Sequence, residues 1–155
     1  MADINTDSEV MMFFPKLQNI QETKDFIECM QKQYRDKGFC YFAVDRLSDK
    51  TFIGFIGLSE QTYESDFTPC IDIGWRLSQK EWGKGYATEG AKRCLDFAFE
   101  ELNLKNIKAI CPVLNKASEQ VMQKIGMTKN YIFKHSLLKE NKTLKSCLLY
   151  EIKKQ

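Results

Sequence analysis

Apolar positions along the chain change period several times, and each change marks an element. Over residues 21–37, "QETKDFIECMQKQYRDK", Phe26, Ile27, Met30 and Tyr34 recur at helical spacing and predict an amphipathic helix. Gly38 follows as its stop. "FCYFAVDR" (39–46) is aromatic and β-branched and reads as a strand, with "LSDK" (47–50) as a turn. "TFIGFIGLS" (51–59) is apolar at consecutive positions, the pattern of a strand covered on both faces. After a polar loop ending at Pro69, "CIDIGWRL" (70–77) alternates: Ile71, Ile73, Trp75 and Leu77 face one way, Asp72 and Arg76 the other. From residue 86, Ala87, Ala91, Leu95, Ala98, Phe99 and Leu102 form a second helical stripe. "IKAICPV" (107–113) predicts a strand in which Pro112 cannot donate, so pairing must lapse there. "NKASEQVMQKIG" (115–126) predicts a short helix with Ala117, Val121 and Ile125 inward and Gly126 as the stop. "MTKNYIFKHSLL" and "TLKSCLLYEIKK" flank the turn "KENK" as a closing hairpin. Helix, three strands, helix, strand, helix, two strands: this order predicts one α+β (mixed α/β) domain over residues 1–155, a sheet covered by helices.

Composition narrows the partners. A chain of 155 residues buries about 68–70% of its unfolded surface, enough for a real core. With 43% hydrophobic and 28% charged residues it has an ordinary soluble make-up, and a net charge of +2 argues against a dedicated nucleic-acid or membrane surface. No run approaches the roughly 18 apolar residues of a membrane span, and "MADINTDSEV" is too polar and acidic for a secretory leader. The six cysteines (29, 40, 70, 94, 111 and 147) form no C-x-x-C pair and have no histidine at zinc spacing. They read as free thiols in a reducing, cytoplasmic compartment, and no metal is expected.

The chemistry concentrates at "WGKGYATEG" (82–90), two glycines flanking a lysine where a helix begins. A glycine inside a helix costs about 0.5–1 kcal/mol relative to alanine, so the pair asks for a reason. Amides at a helix start are unsatisfied and partly positive, and glycines let an anion approach them closely. Two familiar cradles are excluded. The dinucleotide fingerprint needs a third glycine where Thr88 stands; a Walker loop needs glycine where Ser78 stands and a hydroxyl residue in place of Gly85. A glycine-rich turn without a ligand is the plain alternative.

The ordered set of a strand ending W-R-L, the loop W-G-K-G-Y-A, a helix, a strand, N-x-A-S and K-x-G-M resembles the GNAT family of N-acetyltransferases over about residues 8–152. Within it the chain is most similar to the RimJ/RimL-like branch, which includes bacterial enzymes that acetylate ribosomal-protein N-termini. The resemblance implies a mostly antiparallel central sheet with a splayed strand pair, flanked by helices. It implies that Trp82, Gly83, Lys84, Gly85, Tyr86, Ala87 and Thr88 hold the pyrophosphate of coenzyme A, with Trp82 where Gln or Arg is usual. It implies that Trp75, Arg76 and Leu77 line the pantetheine arm and that Asn115 and Ser118 also contact acetyl-CoA. The acceptor is then a primary amine, on a small molecule or a peptide N-terminus.

Acetyl transfer to an amine needs a deprotonated amine, an oxyanion donor and protonation of the leaving thiolate. A lysine amine titrates near 10.4 and an α-amine near about 7.7–8.0, so the latter needs little help from a base. The family's acid position falls here on Met122, which cannot donate; Ser118 of the N-x-A-S stretch is the substitute, or else a plain first-turn residue. Asn115 serves equally as a helix N-cap. Base candidates are Asp72, Glu60 and His135, with an Asp72–Arg76 ion pair along the strand as the plain reading of the first. The loops at 60–69 and 134–142 are expected on the acceptor side. The family's opening strand has no counterpart in "NTDSEVMMFFP", which leaves the strand at 39–46 as an uncovered edge and points to a homodimer. A non-catalytic acyl-CoA-binding or sensing module of the same fold is the alternative to an enzyme, motivated by Met122.

Overall fold

The computed structural model describes all residues, Met1–Gln155. Six strands form one sheet in the order β1-β2-β3-β4-β6-β5. They are β1 (Tyr41–Asp45), β2 (Phe52–Gln61), β3 (Cys70–Leu77), β4 (Asn106–Pro112), β5 (Thr128–Lys134) and β6 (Ser146–Lys153). Every neighbouring pair is antiparallel except β3–β4. The mixed α/β, mostly antiparallel architecture is the one the sequence predicts.

The helices are α1 (Ala2–Thr6), α2 (Ile20–Lys37), α3 (Tyr86–Asp96) and α4 (Lys116–Lys124). α2 begins one residue before the predicted stretch, because Asn19 and Glu22 form a reciprocal capping box; it ends at Gly38 in the left-handed conformation (φ 80°). α3 runs into one π-helical turn, Phe97–Glu101, so the second apolar stripe is longer than its α-helical part. α1 is an addition to the predicted order. Residues 1–18 build no strand, and β1 stays at the sheet edge.

The main core gathers Leu58 and Ile73 of the sheet with Ala91, Leu95 and Ala98 around α3, and with Met122 and Ile125 around α4. α2 covers the opposite face of the first three strands, where Phe26 lies 5.2 Å from Phe55 and Gln33 holds Ser59. β2 is thus buried on both faces, as its unbroken apolar run predicts.

β3 and β4 are the feature that makes a site. They share a single residue pair, Asp72 with Lys108, and then diverge. β4 stays paired with β6 as far as Pro112 with Cys147. Val113 donates to Ser146 of β6, so alternation along the strand turns position 112 toward β3. The donor that proline lacks is therefore missing on the open side, and pairing lapses on that side only.

Candidate active site

The divergence opens a cleft of about 550 Å³. One side is walled by Trp75 and Leu77 of β3, Cys111 and Pro112 of β4, the loop into α3, and Asn115, Ser118 and Met122 of α4. The other is walled by Glu9, Val10, Met12, Phe13, Phe14, Phe26, Tyr41, Phe55, Asp72 and Arg76.

On the first side the backbone supplies the chemistry. Gly83 and Gly85 stand at φ 72° and 84°, and a Cβ added to either would meet nothing within 4 Å. Conformation, not crowding, selects glycine here, and open space remains in front of the loop. Gly85 is the N-cap of α3 and offers no side chain to cap it. None of the amides from Gly83 through Thr88 has an acceptor within the protein; the first to bond is Glu89, to Gly85. Six consecutive free N–H groups at a helix start form a nest for a diphosphate.

Side chains brace this loop from behind. Trp82 donates its indole N–H to the Leu77 carbonyl at 3.0 Å. Glu81, buried, accepts from Arg46 on both oxygens at 3.0 Å and from Lys84 at 3.1 Å. The ammonium of Lys84, and Arg46 behind it, hold the Glu81 carboxyl below the usual range. Lys84 thus points back to Glu81 and does not line the cleft, whereas the remaining loop residues predicted to hold the coenzyme do. Arg46 and Glu81 are 35 positions apart and carry no sequence signal of their partnership.

Across the cleft Asn115 caps α4 by accepting from the Ser118 amide at 3.1 Å, the plain role weighed for it. Ser118 departs from its plain role. Its hydroxyl oxygen accepts the Trp75 indole N–H at 3.3 Å, which leaves its proton free to donate into the cleft. Met122 is buried beside it at 2% exposure and offers no proton.

The second side is built from side chains. Asp72 is buried and accepts the Tyr41 hydroxyl at 2.7 Å, with Gln61 donating to the same hydroxyl at 3.4 Å. Gly74 makes this reach possible: a Cβ there would lie 3.1 Å from the Tyr41 ring. Burial raises the Asp72 carboxyl to about 6, with hydrogen bonding from Tyr41 and Gln61 offsetting part of the shift. Burial and the nearby Asp72 carboxylate push Tyr41 well above its usual value, so it stays a donor.

Arg76 does not pair with Asp72, contrary to the plain reading. Its Nη1 donates to Asn5 at 2.7 Å and to Gln18 at 3.5 Å, and its guanidinium lies over Phe14 at 4.0 Å. The Arg76 side chain therefore leaves the Trp75 face, and only its backbone remains beside the coenzyme wall. Sequence spacing between strand and N-terminal segment gave no sign of this clamp.

Two base candidates are not brought to the cleft. Glu60 sits opposite Ile71 near the end of β2 and is bonded to Lys37 of α2. His135 accepts the Leu137 amide at 3.2 Å and packs tilted against Tyr63 at 4.2 Å, and burial lowers its pKa. The loops expected on the acceptor side meet through Tyr63 and His135, and Phe67 of the first packs on Phe133 of β5. The cleft wall is instead formed by Glu9, Val10, Met12, Phe13 and Phe14. All six cysteines are free; Cys111 lines the cleft, its thiol pushed up to about 12 by burial.

A family model described as an acetyltransferase (GNAT) domain matches residues 1–128. The uncharacterized N-acetyltransferase YnaD of Bacillus subtilis is 32% identical over 144 residues, which cover 90% of this chain and 78% of that one. The crystal structure of the GNAT-family acetyltransferase from Bacillus anthracis, 28% identical, superposes with a TM-score of 0.79 over 99% of this chain and 86% of that one. Spermidine N-acetyltransferase from Vibrio cholerae, solved in complex with CoA and spermine, has the same fold at 20% identity. Its TM-score is 0.75, over 99% of this chain and 87% of that one.

Proposed function

This chain belongs to the GNAT acetyltransferase family, and we propose that it transfers the acetyl group of acetyl-CoA to a primary amine. The observation that carries this reading is the row of six unpartnered amides, Gly83 to Thr88, on the loop and helix start that border the cleft between β3 and β4. Acetyl-CoA brings an activated thioester: the amine nitrogen bonds to its carbonyl carbon, the C–S bond breaks, and the thiolate leaves. The loop amides hold the diphosphate, and Trp75–Leu77 flank the arm. Asp72, raised to about 6, is ionised at neutral pH and takes the ammonium proton directly or through water. Ser118 donates a hydrogen bond to the departing sulfur, its oxygen fixed by Trp75, and the second amine proton, lost as the amide forms, passes to the thiolate.

Placement in the RimJ/RimL-like branch rests on Trp82 at the head of the loop and on Asn115-Lys116-Ala117-Ser118. Peptide N-termini therefore stand beside small amines as acceptors. The deciding experiment is steady-state release of coenzyme A with a panel of peptides, amino acids, polyamines and alkylamines. Release that depends on an amine supports the enzyme. Tight acetyl-CoA binding with no release for any amine establishes the sensing module, which buried Met122 in the family's acid position favours.

Self-association through β1 belongs to the same reading. Its outer edge is unpaired, and beside it lies an apolar hollow of about 660 Å³ walled by Phe26, Met30 and Phe42, with Ile27 and Tyr34 exposed at 37% and 52%. A second copy, paired antiparallel edge to edge about a twofold axis, covers both. Sedimentation at micromolar concentration tests it: a single species near 18.1 kDa refutes the dimer.

A further inference from the structure

Arg76 is the buried cation of the cleft, and no carboxylate of the protein pairs with it. It is 8% exposed, and it takes part in none of the ion pairs of the structure. Asp72 is four residues away on the same strand face, about 13 Å along the backbone, and is bonded to Tyr41. A buried guanidinium without a counter-ion is costly, and burial pulls it down to about 10, still charged at neutral pH.

The bonding pattern shows which edge is spare. Asn5 and Gln18 both take Nη1, while Phe14 and Phe55 flank the guanidinium at 4.0 and 5.1 Å. Nη2 donates to no protein group and is not among the sealed atoms, whereas Nε beside it is sealed without a partner. Nη2 is therefore the donor that a carboxylate in the cleft reaches, a charge-assisted bond that answers the buried cation. The aromatic rings fix the plane of the guanidinium.

We infer that Arg76 anchors a carboxylate on the acceptor, so that the amine this protein acetylates is borne by an amino acid or another amino-carboxylate. The inference rests on the transferase reading and adds a substrate class to it. It also disfavours polyamines, whose second ammonium would meet the Arg76 cation where a carboxylate is expected.

The test compares matched acceptors: glycine, γ-aminobutyrate and aminohexanoate against alkylamines of the same length, with cadaverine as the dication. The expected result is a kcat/KM at least tenfold higher for one carboxylated member than for its alkylamine. Arg76→Gln should bring that ratio to near one, and Arg76→Lys should leave part of it. A wild-type ratio near one, or a ratio that survives Arg76→Gln, overturns the anchor while the transferase stands. So does a variant that loses acetyl-CoA affinity with the ratio intact. Should no amine turn over, calorimetric binding of aminohexanoate to the wild-type protein with coenzyme A present, lost in Arg76→Gln, keeps the anchor and refutes the transfer. No turnover and no binding overturns both. Far-ultraviolet dichroism checks folding, and if Arg76→Gln does not fold, the ratio is read on Arg76→Lys: a ratio as high as wild type then overturns the anchor.

Discussion

The two walls of the cleft are made of different material. The wall at α3 is backbone: six free amides, two glycines at positive φ, and one proline that withholds a donor. The facing wall is side chains drawn from the segment before α2, β1, β2 and β3: Phe14, Tyr41, Phe55, Asp72 and Arg76, with buried Asn5 of α1 bonded to Arg76. A backbone site recognises what every ligand of the class shares, a diphosphate and an extended arm. A side-chain site selects among acceptors. Substitutions should therefore divide into those that lose the coenzyme and those that lose the acceptor or the proton transfer.

The largest effect is expected at Asp72. Asp72→Asn keeps an acceptor for Tyr41 but cannot take a proton, so kcat should fall by about 10²–10⁴ with acetyl-CoA affinity unchanged. The pH profile sharpens this. The wild-type rate should rise through an apparent pKa near 6 in addition to the limb of the amine itself, and the variant should lack that limb. Stability should move the other way. The folded pKa is raised from 3.8 to about 6, so the folded state binds the proton more tightly and pays for ionisation as pH rises through that window. Asp72→Asn should thus gain up to about 3 kcal/mol at pH 7 and nothing below about pH 4, read from melting curves at both. A variant that loses both activity and stability at neutral pH makes Asp72 structural.

Next comes Gly85→Val. Its φ of 84° disfavours a β-branched residue, and the side chain would stand where the anion approaches. The dissociation constant for acetyl-CoA should rise tenfold or more, about 1.4 kcal/mol, while the proton-transfer limb of the pH profile persists. Unchanged affinity by calorimetry in a folded variant removes the amide nest from the binding site. Ser118→Ala should lower kcat by about tenfold, a modest figure because a thiolate leaves readily, with acetyl-CoA binding nearly intact. The smallest effect is on the scaffold: Asn19→Ala removes half of the capping box of α2 and should cost about 1 kcal/mol of unfolding free energy without touching either wall.

The same division explains what could be read from the sequence. Elements with strict periods, such as 70–77, came out with the observed bounds, and the glycine pair announced the anion site because backbone chemistry is written locally. Pro112 named the lapse in pairing before the neighbour strand was known. The acceptor wall was not legible. Asp72 and Arg76 are four residues apart, a spacing that suggests a mutual pair, yet partners from residues 5, 14 and 41 separate them. Glu60 and His135 looked suitable by type, but their partners Lys37 and Tyr63 draw them elsewhere. Tyr41 reaches Asp72 only because position 74 lacks a side chain, a relation between two strands that no single stretch shows.

Asp72 with Lys108 is the last rung of a seam. On one side of it lie β1-β2-β3, on the other β4-β6-β5, and each half is an antiparallel sheet drawn from one continuous part of the chain. With only one rung between the halves, amides along the seam should exchange with solvent through local opening, below the free energy of global unfolding. A ligand that fills the seam works as a strap across both halves. At a hundred times its dissociation constant it adds about 2.7 kcal/mol to the closed form, and protection should rise on β3 and β4 together, not on one wall alone.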